Sequence, residues 1–322
     1  MNPTRREVLA GLSVPSLLLS QTKRSSEHPM RGIFIIMTTP FTDSKEVDFE
    51  DLVKEVDFLD RTGAHGMVWP QLGSEVWTLT KEERMKGMEL LAKAARGKRP
   101  ALVLGVQGPN KEAAIEYTER AEALAPDALI AIPPREGKTL EDVREYYAAI
   151  ASRTKRPVIV QTTGGARGVN IDAKFIASLV KEFPHCGYVK EEAAPVMPRV
   201  KELIAMRPLI RRVYGGADAV ALMYEMRVGA DGNMPNAAFA DAYAQVWDLF
   251  QAGQQAKARE LYGKTLLLTN LRRQIPGTPL YVMKLRGVFK TIASREQEIR
   301  LTPEEMREIE FNFESLKPYL RA

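Results

Sequence analysis

One short run carries the residues best suited to chemistry: Gly187-Tyr188-Val189-Lys190-Glu191-Glu192, an apolar segment ending in an amine and two carboxylates. A lysine titrates near ~10.4 and becomes a nucleophile only where burial or positive neighbours favour its neutral form. An amine at the end of a buried strand suits imine formation on a 2-oxo acid, whereas a solvated Lys-Glu-Glu run would be ordinary surface. Which applies depends on the elements that position Lys190.

Composition admits an enzyme. The chain has 322 residues, 45% hydrophobic and 27% charged, enough for one barrel of roughly 250 residues with extensions. Its net charge of +5 comes from 46 basic and 41 acidic residues that are interspersed, with no basic stripe among aromatics, so no nucleic-acid partner is expected. The single Cys186 excludes an intramolecular disulfide framework and a cysteine-rich zinc site. His28, His65 and His185 lack metal-binding spacing, so neither a metal nor another cofactor is expected.

At the N-terminus, Thr4-Arg5-Arg6-Glu7-Val8-Leu9 leads into a modestly apolar run, Leu9 to Leu19, and then polar Gln21–Ser26. This pattern resembles a twin-arginine export signal, which implies a periplasmic or extracytoplasmic location. The alternatives are an ordinary N-terminal arm and a cytoplasmic protein. The run is short for a membrane span, and none is expected.

From Met30 short apolar runs alternate with amphipathic stretches. Gly32–Met37, Gly66–Trp69, Ala101–Val106, Ala128–Ile132, Pro157–Gln161, Gly187–Lys190, Arg212–Gly215 and Gly232–Met234 read as strands. Phe49–Thr62, Lys81–Ala95, Lys111–Leu124, Leu140–Thr154, Ala173–Phe183, Val196–Met206 and Ala217–Val228 read as helices, with cap signals at Thr80 and Thr139. Eight strands alternating with helices predict an α/β fold, a (β/α)8 TIM barrel. Ala237–Gln251, Gln254–Leu271, Pro279–Ile292 and Thr302–Tyr319 then predict a C-terminal helical extension. The division is an arm over 1–29, a barrel over 30–235 and an extension over 236–322. Active sites of such barrels lie at the C-terminal strand ends, where the sixth strand puts Lys190.

On these residues the chain resembles the dihydrodipicolinate synthase and N-acetylneuraminate lyase family of class I aldolases. The resemblance rests on Thr38-Thr39-Pro40-Phe41, Gly73-Ser74-Glu75-Val76-Trp77-Thr78-Leu79-Thr80, Gly187-Tyr188-Val189-Lys190-Glu191, Gly215-Gly216-Ala217-Asp218 and Pro279-Leu280-Tyr281-Val282-Met283-Lys284. It implies that Lys190 forms an imine with pyruvate or another 2-oxo acid, that the imine serves as an electron sink, and that the chain assembles as a homodimer or homotetramer.

The chain also departs from that family. The Gly-Thr-Thr-Gly-Glu loop that holds the pyruvate carboxylate reads Gln71-Leu72-Gly73-Ser74-Glu75, which keeps backbone donors but not the threonine hydroxyls. Leu72, Gly73 and Ser74 are therefore expected at the substrate, with Ser74 alternatively a turn residue. The relay tyrosine after the fifth strand is replaced by Gln161 or Thr162, and the tyrosine pair after the fourth by Pro134-Arg135. Neither an amide nor an aliphatic hydroxyl titrates as a phenol does. Residues two apart on a strand share a face, so Glu192 is expected to point with Lys190 and to act as acid/base or counter-charge, with Gln161 beside it; the alternative is a rim carboxylate paired with an arginine. The resemblance implies that Arg167 meets a distal substrate carboxylate, with Arg135 nearby, unless both are solvated loop residues. Met234 on the eighth strand completes the expected substrate contacts. Trp69, Leu72 and Trp77 would suit a less polar substrate or form core.

The reading is a lyase or aldolase acting on a small 2-oxo acid through Lys190, its class open among sugar-acid cleavage, dehydration and hydratase-aldolase work. The alternatives are a barrel that has lost catalysis and binds a small acid or protein, and a metal-dependent lyase using Glu75 and Glu192.

Overall fold

The computed structural model describes residues 29–322, so the twin-arginine-like segment lies outside the described residues. Eight parallel strands close on themselves in chain order. They are β1 (Gly32–Ile36), β2 (Gly66–Trp69), β3 (Ala101–Gly105), β4 (Ala128–Ala131), β5 (Val158–Gln161), β6 (Tyr188–Lys190), β7 (Arg212–Gly215) and β8 (Gly232–Asn233). The ring closes where Gly32 and Ile33 pair with Gly232 and Asn233.

Strands buried on both faces have no polar side, which explains their unbroken apolar runs. One face points into the barrel, where Phe34, Val68, Val103, Ile130, Ile159 and Tyr214 form an interior cluster. The other, including Ile35, Met67, Leu104, Val160 and Val189, packs on the helices. Small residues leave room for large ones: a Cβ on Gly66 would stand 2.2 Å from the Phe34 ring.

The outer layer is α1 (Phe49–Thr62), α2 (Lys81–Ala94), α3 (Lys111–Leu124), α4 (Leu140–Ala151), α5 (Ala173–Glu182), α6 (Val196–Ala205), α7 (Leu222–Val228) and α8 (Ala240–Gln251). Thr80 and Thr139 are N-caps, each closing a capping box with Glu83 and Asp142. The tail adds α9 (Gln255–Gln274), α10 (Thr278–Leu285) and α11 (Pro303–Glu314).

Several expected helices are shorter than their periodicity: Thr302–Tyr319 ends as an α-helix at Glu314 and Leu140–Thr154 at Ala151, and two more are cut for visible reasons. Ala217–Val228 is interrupted, because Ala217, Asp218 and Ala219 take left-handed φ of 48, 53 and 59°, and the α-helix starts at Leu222. Pro279–Ile292 ends at Leu285, before Gly287 at φ 70°, and the chain then runs to the barrel mouth, where Ala293 bridges Phe41. The tail thereby roofs the C-terminal strand ends.

Candidate active site

Lys190 is the last residue of β6 and is in register with Gln161 of β5 and Tyr214 of β7. It is 5% exposed. The alternation continues past the strand and separates the two glutamates. Glu191 turns outward, accepts from the Thr162 hydroxyl at 2.7 Å and pairs with Arg199 of α6 at 3.1 Å. Glu192 turns with Lys190, and its Oε2 stands 3.3 Å from the lysine Nζ. The arginine partner weighed for Glu192 thus belongs to Glu191.

The Glu192 carboxylate is held from three sides. Oε1 accepts from the Ala217 amide at 2.8 Å, Oε2 accepts from the Thr163 hydroxyl at 3.2 Å, and Lys190 faces Oε2. Burial raises its pKa, but the Lys190 charge and these donors outweigh burial and leave the carboxyl below its usual range. At neutral pH it is a carboxylate beside Lys190 and can take a proton.

The Ala217 amide reaches Glu192 because of the left-handed turn, three non-glycine residues at roughly 1–3 kcal/mol each. Surrounding bonds hold it. Asp218 pairs with Arg272 of α9 and accepts from Asn236 at 3.0 Å, and the hydroxyls of Tyr243 and Tyr262 donate to the Asp218 and Ala219 carbonyls at 3.3 and 2.7 Å. Gly216 is demanded by closeness, since a Cβ there would stand 2.0 Å from Glu192 Oε1.

Lys190 and Glu192 open into a cavity of about 270 Å³ whose wall includes Leu72, Gly73 and Met234 from the expected set. Residues Leu72–Ser74 form a single 3-10 turn, and the amides of Leu72 and Gly73, as the first two donors of that turn, have no partner within it. Ser74 does not offer its hydroxyl to the cavity. It is fully buried, accepts from the Gln71 amide at 3.0 Å and donates to the Met37 carbonyl, which is the turn role weighed for it.

Gln161, rather than Thr162, shares the inward face with Lys190. It is fully buried and is not among the residues lining the cavity; its amide nitrogen donates to the Thr163 carbonyl at 3.3 Å and its Oε1 has no partner among the described residues. Arg135 and Arg167 are exposed and line a separate pocket with Leu72 and Trp77, so Leu72 is the wall between the two spaces. The Arg135 guanidinium lies 5.1 Å over the Trp77 ring. Trp69 is core, its indole N–H donating to Thr39 at 3.0 Å.

Sequence reasoning missed Thr163, the Ala217 amide, and the cavity wall contributed by Arg272 and Gln297 from the tail. The available signal was the Gly215-Gly216 pair. Nothing in local spacing points to tail residues, which reach the mouth only through tertiary docking.

Comparison with known proteins identifies the family and the fold. The dihydrodipicolinate synthetase family model matches residues 29–311. An L-2-keto-3-deoxyarabonate dehydratase of Azospirillum brasilense is 26% identical over 292 residues, 88% of this chain and 94% of that protein. A 4-hydroxy-tetrahydrodipicolinate synthase of Parabacteroides distasonis is 28% identical over 236 residues, 72% of this chain and 78% of that protein. For the fold, the dihydrodipicolinate synthase structures of Rhodopseudomonas palustris and Aquifex aeolicus both superpose with TM-score 0.79, at 24% and 21% identity, covering 88% and 91% of this chain and 97% and 100% of theirs. The chain belongs to the dihydrodipicolinate synthetase family, whose Schiff-base lyases act on pyruvate.

Proposed function

We propose that this chain is a lyase in which Lys190 forms an imine with a 2-oxo acid and Glu192 moves the protons. The observation that carries the reading is the buried contact of 3.3 Å between Lys190 Nζ and Glu192 Oε2 in the wall of a cavity at the strand ends. Lys190 passes a proton to Glu192, the neutral amine attacks the C2 carbonyl, and the carbinolamine hydroxyl leaves as water with that proton, giving a cationic imine and restoring the Glu192 carboxylate. Glu192 then takes a proton from C3, and the electron pair settles as an enamine.

The enamine either forms the C3–C4 bond to an aldehyde, with cleavage as the reverse, or expels a C4 hydroxyl that leaves as water with the proton Glu192 holds. The name of the Azospirillum relative favours dehydration. The substrate carboxylate sits on the amides of Leu72 and Gly73, Met234 packs against the bound acid, and Gln161 supports the imine from below. Arg135 and Arg167 serve a distal acid group that crosses Leu72.

Borohydride reduction in the presence of pyruvate, followed by mass spectrometry, tests this. A pyruvyl adduct on Lys190 that Lys190→Ala abolishes is expected. No adduct with pyruvate or longer 2-oxo acids would overturn the imine and favour a barrel that only binds.

We read residues 1–29 as an arm with a twin-arginine-like export signal, 30–235 as the barrel and 236–322 as its extension, in a homodimer or homotetramer. Cell fractionation of the wild type against Arg5→Lys/Arg6→Lys, and light scattering of the purified chain, test export and assembly. Among the described residues no helix is long and apolar enough to cross a membrane.

A further inference from the structure

Behind Glu192 lies a second carboxyl that the mechanism above does not use. Glu225 of α7 is 2% exposed, and its carboxyl rests against Gly215, where a Cβ would stand 2.2 Å from its Oε1. The next residue, Gly216, bears the same relation to Glu192, at 2.0 Å. The two carboxyls therefore lean on consecutive glycines of one backbone. Asn233 of β8 ties the arrangement together, its amide nitrogen donating to Glu225 Oε2 at 2.7 Å and to the Gly216 carbonyl at 3.2 Å, immediately before the Ala217 amide that holds Glu192.

We propose that Glu225 is a positioning residue for proton transfer: acting through Asn233 and the Gly215-Gly216 step, its charge sets the basicity of Glu192. This rests on the Lys190–Glu192 reading. Like charges held close in a poorly solvated wall feel each other strongly, because neither can be screened by water. Burial, opposed by the Asn233 bond and reinforced by Glu192, pushes Glu225 up to about 7. The other titratable group facing it is Tyr262 of α9, a phenol that burial keeps neutral and that donates to the Ala219 carbonyl. As pH rises through neutrality Glu225 gains its charge, Glu192 binds a proton more tightly, and proton abstraction from C3 speeds up.

The test is the exchange of pyruvate methyl hydrogens in D2O, followed by NMR across pH, with borohydride adduct measured in parallel. The ratio of wild-type to Glu225→Gln exchange rates is expected to rise about threefold or more between about pH 5.5 and about pH 8.5. The same substitution in a Glu192→Gln background should give a flat ratio. Asn233→Ala, which removes the side-chain donor to Glu225, should move the midpoint to higher pH. A ratio independent of pH with adduct still forming overturns the role of Glu225 alone, whereas absence of adduct in the wild type overturns the imine and this inference together.

Discussion

Gly216→Ala probes Glu192 without altering any catalytic side chain. The added Cβ would lie 2.0 Å from Glu192 Oε1, 2.4 Å from Cδ and 2.6 Å from Cγ. Ordinary contact between such atoms needs ~3.5 Å, so the carboxyl must retreat by about 1–1.5 Å. The retreat breaks the 2.8 Å bond from the Ala217 amide and the 3.3 Å approach to Lys190 together. Misplacing a reacting group by ~1 Å costs ~10²-fold in rate, about 2.7 kcal/mol, and loss of the whole proton-transfer contribution reaches ~10⁴-fold. Exchange of pyruvate methyl hydrogens in D2O should therefore fall ~10²- to ~10⁴-fold in Gly216→Ala, with Glu192→Ala as its lower limit. Gly216 has φ −147° and ψ −132°, so alanine brings no left-handed strain, but displacing a buried, paired carboxylate should lower the melting temperature, and the exchange assay is read on a variant that remains folded. Exchange within about threefold of wild type in a folded variant would refute the reasoning, because it would mean that Glu192 can be displaced without consequence.

Three stability predictions follow from other parts of the fold. Asp241 is fully buried and receives both Arg286 Nη atoms, at 3.0 and 2.6 Å, and the Arg321 amide at 2.9 Å, so Asp241→Ala should cost about 3–5 kcal/mol by leaving a buried guanidinium unpaired. Urea unfolding measures it, and a loss below ~1 kcal/mol would show the tail clasp to be dispensable. Ala125 ends α3 in the left-handed region at φ 54°, and Ala125→Gly should raise stability by roughly 0.5–1 kcal/mol in the same assay; a loss would mean that glycine's chain entropy outweighs the relieved strain. Glu55 is wholly buried, accepts the Thr38 amide at 3.1 Å, and is held well above the usual carboxyl range by burial. Its folded form retains the proton, so it subtracts stability as pH rises from the unfolded value of 4.5 toward the folded one. Glu55→Gln should flatten that decline, read as melting temperature against pH, and an unchanged slope would count against it.

Much of the fold was legible because barrel strands advertise themselves. A strand covered on both faces must be apolar throughout, and the intervening helices must carry a stripe, so β1 to β8 and α1 to α6 emerge from periodicity within a few residues. Strand alternation also separates Glu191 from Glu192 before any coordinates are known. The interruption at Ala217–Ala219 was not legible, since three left-handed non-glycine residues contradict local propensity and persist only because Arg272, Asn236, Tyr243 and Tyr262 hold them.

The barrel, the place of Lys190 at a strand end and the side on which Glu192 emerges can all be read along the chain, because they follow from short-range geometry that repeats there. Tertiary structure alone decided that Ser74 closes a turn, that Arg135 and Arg167 stand across Leu72 from the lysine, and that Glu225 backs Glu192 through two glycines. Those outcomes depend on approaches between the loops at the strand ends and, for Glu225, between α7 and the β7 end, and separation along the chain carries no record of such distances.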